Sequence, residues 1–262
     1  MPLHAVKLTA EETESPADKT DASALPTPRP VAKLALVVPT LREAENIRTV
    51  LDRIRQTLDP LGFDYEILVV DDDSGDGIEP IVQQISETDP RVRLLVRKGE
   101  RGLGGAVLYG WKHTDAEVLG VIDADLQHPP ELLPKLWAAM DGGRDVVLAS
   151  RYAPEGGLDN WHPARHLLSR AAIWMTYPLQ KREIRVKDPM AGFFMVRRSC
   201  LKDIELHNRG FKILLEILVR GNVQSVSEIP FTFGPRRAGE SKANIGVGLD
   251  YFALLFRLWR SR

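Results

Sequence analysis

A single cysteine, Cys200, stands in 262 residues, so the chain has no means of forming an internal disulfide or a cysteine-built zinc site. That scarcity suits a reducing compartment. No apolar run reaches the roughly 20 residues that a bilayer-spanning helix needs. The first thirty residues also lack the basic start and apolar core of a secretory signal, so any membrane contact is expected to be peripheral or to come from a segment beyond this sequence. The glycine-rich run Gly99–Gly105 does not end in Gly-Lys-Ser/Thr, which sets aside a P-loop and ATP hydrolysis. There is no internal repeat, and no net charge large enough to announce a nucleic acid: 35 Lys/Arg stand against 36 Asp/Glu.

The charge is unevenly spread. Residues 1–143 hold 15 Lys/Arg and 25 Asp/Glu, a balance of −10, whereas residues 144–262 hold 20 and 11, a balance of +9. An acidic half suited to a cation and a basic half suited to anions point to a phosphorylated substrate between them, although two solvated faces of opposite sign account for the same counts. With 44% hydrophobic residues, the length suffices for one large α/β domain with a substantial core.

Residues 1–32 mix Glu, Asp, Thr and Ser and then carry Pro26, Pro28 and Pro30, a composition that buries little and reads as a disordered tail. From Lys33 onward, short apolar runs alternate with helical spacing. Leu34–Val38, Tyr65–Val70, Val92–Val96, Val118–Ile122 and Asp145–Ser150 read as strands, with helices over Glu43–Leu58, Pro80–Ser86, Gly102–Trp111 and Pro130–Met140. This rhythm predicts a mostly parallel sheet with helices on both faces, whose ligands sit beyond the carboxyl ends of the strands. After Arg151 the rhythm changes to an amphipathic segment Leu167–Leu179, strands Gly192–Val196 and Val226–Phe233, a helix Phe211–Val219 between them, and a last helix Gly246–Arg260. On that last helix Leu249, Phe252, Phe256 and Trp259 share a face, widened by Tyr251, Leu255 and Leu258 and edged by arginines. Such a face suits a membrane headgroup layer and equally a helix docked on the core.

Acidic clusters fall at strand ends. Asp123-Ala124-Asp125 follows Val118–Ile122, with Gln127 and His128 next. Two carboxylates one residue apart can share a divalent cation with a diphosphate, or can cap the turn before Pro129-Pro130. Asp71-Asp72-Asp73 ends another strand, where crowded carboxylates call for donors or a cation unless they form a solvated turn. Arg97, Lys98 and Arg101 among glycines either cradle a phosphate at a helix start or simply permit close packing. In the basic half Arg151, Arg165, Arg170, Arg236 and Lys242 stand out, with Ser169 and Ser241 beside two of them. Arginine pairs bidentately with phosphate oxygens, but scattered arginines form a site only where they converge.

Taken in order, four stretches carry a resemblance: Asp123-Ala124-Asp125-Leu126-Gln127-His128-Pro129-Pro130-Glu131, Asp188-Pro189-Met190-Ala191-Gly192-Phe193-Phe194, Gly210-Phe211-Lys212-Ile213-Leu214 and Gly239-Glu240-Ser241-Lys242. The chain resembles the dolichol-phosphate (polyprenyl-phosphate) mannose synthases, inverting glycosyltransferases with the Rossmann-like GT-A fold. The likeness runs from about Leu34 to Trp259 and is closest to archaeal-type members. It implies a GT-A domain over 33–245 and a membrane-interface helix over 246–262. It also implies that Pro39, Glu43, Val70 and Asp72 hold the nucleotide's base and ribose. Asp123, Asp125 and Gln127 would carry Mg2+ or Mn2+, with Ala124 touching the donor by its backbone. Arg151, Lys212, Arg236 and Lys242 match positions that bind phosphate and sugar, and Arg165 and Ser169 match those that receive the lipid phosphate. Members commonly have Tyr-Asn where this chain has Leu41-Arg42, which removes an aromatic neighbour of the base.

The implied activity is transfer of mannose from GDP-mannose to dolichyl or polyprenyl phosphate at the cytoplasmic face of a membrane. Some members continue into transmembrane helices, so a separate membrane-spanning subunit or a further C-terminal segment is an expected partner; no nucleic acid is expected. A phosphate acceptor is already largely anionic at neutral pH and needs no base, so Asp125, Arg151, Arg165, Ser169, Arg236 and Lys242 are expected to catalyse by positioning and neutralising charge. Three alternatives stand beside this reading. One is a sister enzyme using UDP-glucose. Another transfers to a carbohydrate hydroxyl with Asp188 as general base. The third is a non-catalytic nucleotide-sugar or membrane adaptor.

Overall fold

Apolar runs buried along their whole length become the strands of a central sheet, and the amphipathic segments between them become its cover. In the computed structural model the described residues are 5–7, 31–154, 156–158, 163–207, 212–233 and 245–260. They form, in chain order, β1 (Ala5–Lys7), β2 (Leu34–Thr40), α1 (Ala44–Leu58), β3 (Tyr65–Asp71), α2 (Ile78–Thr88), β4 (Val92–Val96), α3 (Leu103–Lys112), β5 (Val118–Val121), α4 (Leu133–Asp141), β6 (Val146–Ser150), β7 (Gly157–Leu158), α5 (Pro163–Thr176), β8 (Phe194–Arg197), β9 (Glu205–His207), α6 (Ile213–Arg220), β10 (Val226–Pro230), β11 (Thr232–Phe233) and α7 (Ile245–Arg260). Seven strands make the main sheet in the order β10-β6-β8-β5-β2-β3-β4, with β10 and β4 at its edges. Every pairing is parallel except those of β8, which runs against both β5 and β6.

Alternation along each strand divides the core in two. Leu34, Leu36 and Val38 pack with Ile47 and Ile54 of α1, Ile78 of α2 and Leu133 and Leu136 of α4. Ala35 and Val37 face the other way, against Val107 and Trp111 of α3 and Leu214 and Ile217 of α6. Helices therefore cover both faces, as the alternation predicts. Pro39 does not end its strand. Val37 O accepts from Ile122 N on the β5 side and Thr40 O accepts from Asp72 N on the β3 side, so Pro39 points beyond the end of β5, where no N–H is needed. The helix expected from Pro130 opens as a 3-10 turn over Pro130–Leu132 before α4 begins.

Three residues of the expected N-terminal tail, β1, pair antiparallel with β9. At the other end α7 docks through Leu254 and Leu258 onto Leu179 and Leu215, and Tyr251 Oη donates to Ala172 O of α5. The broad outer face expected for this helix is thus split by its own periodicity. Leu258 turns inward while Phe252, Phe256 and Trp259 remain 57%, 59% and 67% exposed; the Leu249 side chain lies outside the described set. No helix among the described residues is long and apolar enough to cross a membrane.

The approach of α3 to the sheet rests on Gly110, where an added Cβ would lie 2.7 Å from Val37 Cγ2 and 3.1 Å from Val70 Cγ2. Valine tips cannot swing clear, so Gly110→Ala is expected to cost about 1–3 kcal/mol of stability, read as a lowered denaturant midpoint with an unchanged slope.

Candidate active site

Parallel strands β3, β2, β5 and β6 all deliver their carboxyl ends to one rim of the sheet. Asp72, Leu41, Asp123 and Arg151 emerge there. Because β8 runs in reverse, the segment before it, Asp188 to Phe193, reaches the same rim. The backward strand thus brings residues from the basic half to the carboxylates of the acidic half.

At the end of β5, Asp123 keeps one oxygen, Oδ2, 3.3 Å from His128 Nδ1. His128 is buried against the rings of Phe193 and Phe231. The other oxygen, Asp123 Oδ1, is buried and has no hydrogen-bond partner among the described residues. A buried carboxylate oxygen without a donor is costly and is a fitting ligand for a hard cation. Gly192 closes over the same group: a Cβ there would stand 2.8 Å from Asp123 Oδ2, so a side chain at this position would displace the carboxylate. Asp125 is also buried, and its Oδ1 accepts from Gln127 N at 3.1 Å. This bond turns the loop that carries all three expected ligands within five consecutive residues. No cluster of three or more His, Cys, Asp or Glu capable of holding a metal occurs among the described residues. An ion here would rest on Asp123 and Asp125 with Gln127, and on oxygens from a ligand.

Arg151 follows β6 and clamps Asp188. Its Nε and Nη2 donate to the two carboxylate oxygens at 2.8 and 2.7 Å, and its backbone N donates at 3.1 Å. The Asp188 side chain is wholly buried. Burial works against charge on Arg151, but the hydrogen bonds and charge of Asp188 outweigh it and hold the guanidinium above its ordinary pKa, with a smaller contribution from Asp123. Lys212, just before α6, is held below the ordinary lysine value by burial and then by repulsion from Arg151, while Asp188 and Asp123 pull the other way. Asp123, Arg151, Asp188 and Lys212 therefore form one interacting cluster. The pairing of Arg151 with Asp188, thirty-seven positions away, has no signal in local spacing.

Across the rim, Pro39 and Asp72 line a cavity of about 250 Å³ with Thr40, Leu41, Arg101 and Leu103. Asp72 is already engaged: Oδ1 accepts from Arg97 Nε at 2.8 Å and Oδ2 from Gly102 N at 2.7 Å. The basic, glycine-rich run does not form the phosphate cradle considered for it. Arg97 is buried on Asp72, the Gly102 N–H is spent on the same carboxylate, and Gly105 leaves room for the guanidinium, whose Nη1 lies 2.3 Å from where a Cβ would be. Two residues expected at the nucleotide do not line this cavity. Val70 packs wholly in the core, where it bounds Gly110. Glu43 stands at the start of α1 and accepts from Asn46 Nδ2. Ala124 is buried between Asp123 and Asp125. Ser169 on α5 accepts from Tyr152 Oη at 2.8 Å. Arg236 and Lys242 lie outside the described residues, as does the side chain of Arg165 on α5.

Comparison with known proteins adds names to this geometry. The model of glycosyl transferase family 2 matches residues 35–205. The dolichol-phosphate mannosyltransferase of Pyrococcus furiosus is 42% identical over 87% of this chain and 64% of its own length, so the chain spans just under two thirds of that relative. The dolichol-phosphate mannosyltransferase of Saccharomyces cerevisiae is 36% identical over 86% of each chain. Among solved structures, glucosyl-3-phosphoglycerate synthase of Mycobacterium tuberculosis, in complex with Mn2+, uridine-diphosphate-glucose and phosphoglyceric acid, superposes with a TM-score of 0.62 at 20% identity, over 87% of this chain and 80% of that one. At that identity the likeness shows the fold alone.

The unmatched oxygen of Asp123 yields a test that needs no turnover. Asp123→Asn in chelator should leave the melting temperature close to that of the unsubstituted protein, because losing the attraction to Arg151 and Lys212 is offset by relieving an enclosed, unpartnered oxygen. Adding Mn2+ with a nucleoside diphosphate should then raise the melting temperature of the unsubstituted protein, by binding the folded state alone, but not that of the variant. Equal gains in both proteins would show that Asp123 is no ligand.

Proposed function

The chain belongs to glycosyl transferase family 2, and from that membership we propose that it moves mannose from GDP-mannose to the phosphate of a dolichyl or other polyprenyl lipid, with inversion, at the cytoplasmic face of a membrane. One observation carries the reading. Two carboxylates, the buried Asp125 and the half-buried Asp123 with one enclosed and unpartnered oxygen, stand at one rim beside two half-buried cations, Arg151 and Lys212, whose charges interact with Asp123. Such a rim accommodates a metal-bound diphosphate and a further anion together. The relatives' names supply the sugar and the lipid phosphate.

Asp123 and Asp125, with Gln127 beside them, would hold Mg2+ or Mn2+, and the ion supplies a Lewis acid for the departing diphosphate. The protein's remaining work is positioning. Pro39 and Asp72 bound the cavity that takes the base and ribose, with Glu43, Val70 and the Ala124 backbone as further expected contacts. Arg151 and Lys212, with Arg236 and Lys242, neutralise phosphate charge. Arg165 and Ser169 receive the lipid phosphate. A phosphate monoester is largely dianionic near neutrality, so its oxygen attacks the anomeric carbon without losing a proton. The new C–O bond forms as the bond to the diphosphate breaks, the electron pair leaves with the nucleotide, and an α-linked donor gives a β-linked product.

A hydroxyl acceptor fits less well. It needs a general base, and Asp188, the carboxylate suited by position, is wholly buried and takes three hydrogen bonds from Arg151. A UDP-glucose donor remains the competing reading within the same chemistry. Membrane contact rests on the exposed Phe252, Phe256 and Trp259 of α7, edged by Arg257 and Arg260, a pattern suited to the headgroup layer; a membrane-spanning subunit or further segment would add to it.

Two measurements decide. In a donor panel assayed with polyprenyl phosphate, GDP-mannose should be used in preference to UDP-glucose and chelator should abolish transfer. Preference for UDP-glucose, or transfer to saccharides instead of lipid phosphate, would refute the proposal. The second uses Lys212. Its pKa is lowered by burial, and a bound diphosphate favours its charged form. Affinity for GDP should therefore be full below the lowered pKa of the free protein and fall as pH rises through it toward the higher value in the complex. Lys212→Arg, which stays charged, should flatten that dependence.

A further inference from the structure

Beside the rim lies a second cleft, about 590 Å³, lined by Tyr152, Arg170, Ile173, Trp174, Tyr177 and Lys187. No carboxylate lines it among the described residues; Glu228 accepts from the backbone N of Lys187 at 3.0 Å. Arg170 and Lys187 are exposed, and their side chains have no hydrogen-bond or ion-pair partner among the described residues, whereas Arg53, Arg91, Arg93, Arg97 and Arg151 are all held by carboxylates. Helical spacing stacks Trp174 one turn beyond Arg170 on α5, so a cation and a large ring share one wall. Trp174 is 72% exposed, although a ring of that size is highly buried on average in folded proteins. Tyr177, with the Arg185 guanidinium 5.4 Å from its ring centre, adds a second aromatic. Two unneutralised cations among three aromatic rings complement a molecule with an anionic head and an apolar chain.

The cleft is continuous with the proposed acceptor position. Tyr152 lines it, and its Oη donates to Ser169 Oγ at 2.8 Å. The guanidinium of Arg151, next in the chain, lies 5.5 Å from the Tyr152 ring centre while it grips Asp188. Ser169 Oγ accepts from Tyr152, and a hydroxyl that accepts can also donate its own hydrogen, here to a phosphate. We propose that this cleft is a separate phosphate-binding station, in which Arg170 and Lys187 take the phosphate of the polyprenyl acceptor and Trp174 and Tyr177 take its first isoprene units, before the head passes Tyr152 to Ser169. The inference rests on the lipid-phosphate reading above, and it adds a site that the reaction itself does not require.

The test uses the full chain and a short, water-soluble isoprenyl phosphate. Arg170→Ala with Lys187→Ala should raise the acceptor KM about tenfold, the size of one lost charge-assisted hydrogen bond, with the donor KM unmoved. Arg170→Lys with Lys187→Arg should restore most of it. An unchanged acceptor KM overturns the proposal. So does an effect seen only on vesicles containing anionic phospholipid, which would assign the cleft to bulk headgroups. Binding is read independently of turnover, as quenching of tryptophan fluorescence by the isoprenyl phosphate that is lost in Trp174→Phe. Quenching without mannosyl transfer would refute the functional reading and leave the cleft standing, whereas equal quenching in both proteins would remove the cleft. Inorganic phosphate should compete in the KM assay but produce no Trp174-dependent quenching, since it has no chain to lie on the ring.

Discussion

The grip of Arg151 on Asp188 organises the rim. A guanidinium following β6 and a carboxylate preceding β8 meet in the interior through two side-chain hydrogen bonds and one from the backbone. Asp188 N in turn donates to Glu228 on β10. Elements attached to three strands are thus fastened at one residue, Asp188. A buried ion pair of this kind commonly contributes less stability than a well-packed apolar pair of the same volume. Its presence is better understood through what it positions: a permanently charged group whose position is fixed beside Asp123 and Lys212.

The sheet's one reversal is what makes that grip available. With β8 antiparallel between β5 and β6, the segment Asp188 to Phe193 arrives at the carboxyl ends of its neighbours instead of departing from the opposite rim. Gly192 then lies against the Asp123 carboxylate, and Phe193 supplies an edge to His128. The acidic and basic halves of the chain, separate in sequence, become two sides of one charged rim. Their opposite balances meet at that rim.

Much of this was legible in the sequence. Strands buried on both faces read as continuous apolar runs, and the carboxylates at their ends mark the rim without any knowledge of tertiary contacts. Other parts were not legible, for identifiable reasons. Arg97, Gly102 and Gly105 look like a phosphate cradle because glycines beside a cation serve either purpose; only the distance from Arg97 to Asp72 separates the two. Asp188 as the partner of Arg151 depends on a reversed strand, which residue spacing does not announce. The periodicity of α7 admits two apolar stripes, and sequence alone does not say that Leu254 and Leu258 face the core while Phe252, Phe256 and Trp259 face out. Pro39 inside β2 follows from β5 being shorter than its neighbour, a fact about pairing and not about proline.

The two edges of the main sheet have their own consequence. β4 is five residues long and carries Arg93, bonded to Glu66 and to the His113 carbonyl; β10 is equally short and ends in Pro230. Short edges bearing a charge or a proline are poor templates for strand addition, so another polypeptide gains little by extending this sheet. Association is thereby directed to helical faces and loops, and the seven strands are insulated from edge-to-edge aggregation even while the molecule displays bare aromatic rings on α5 and α7.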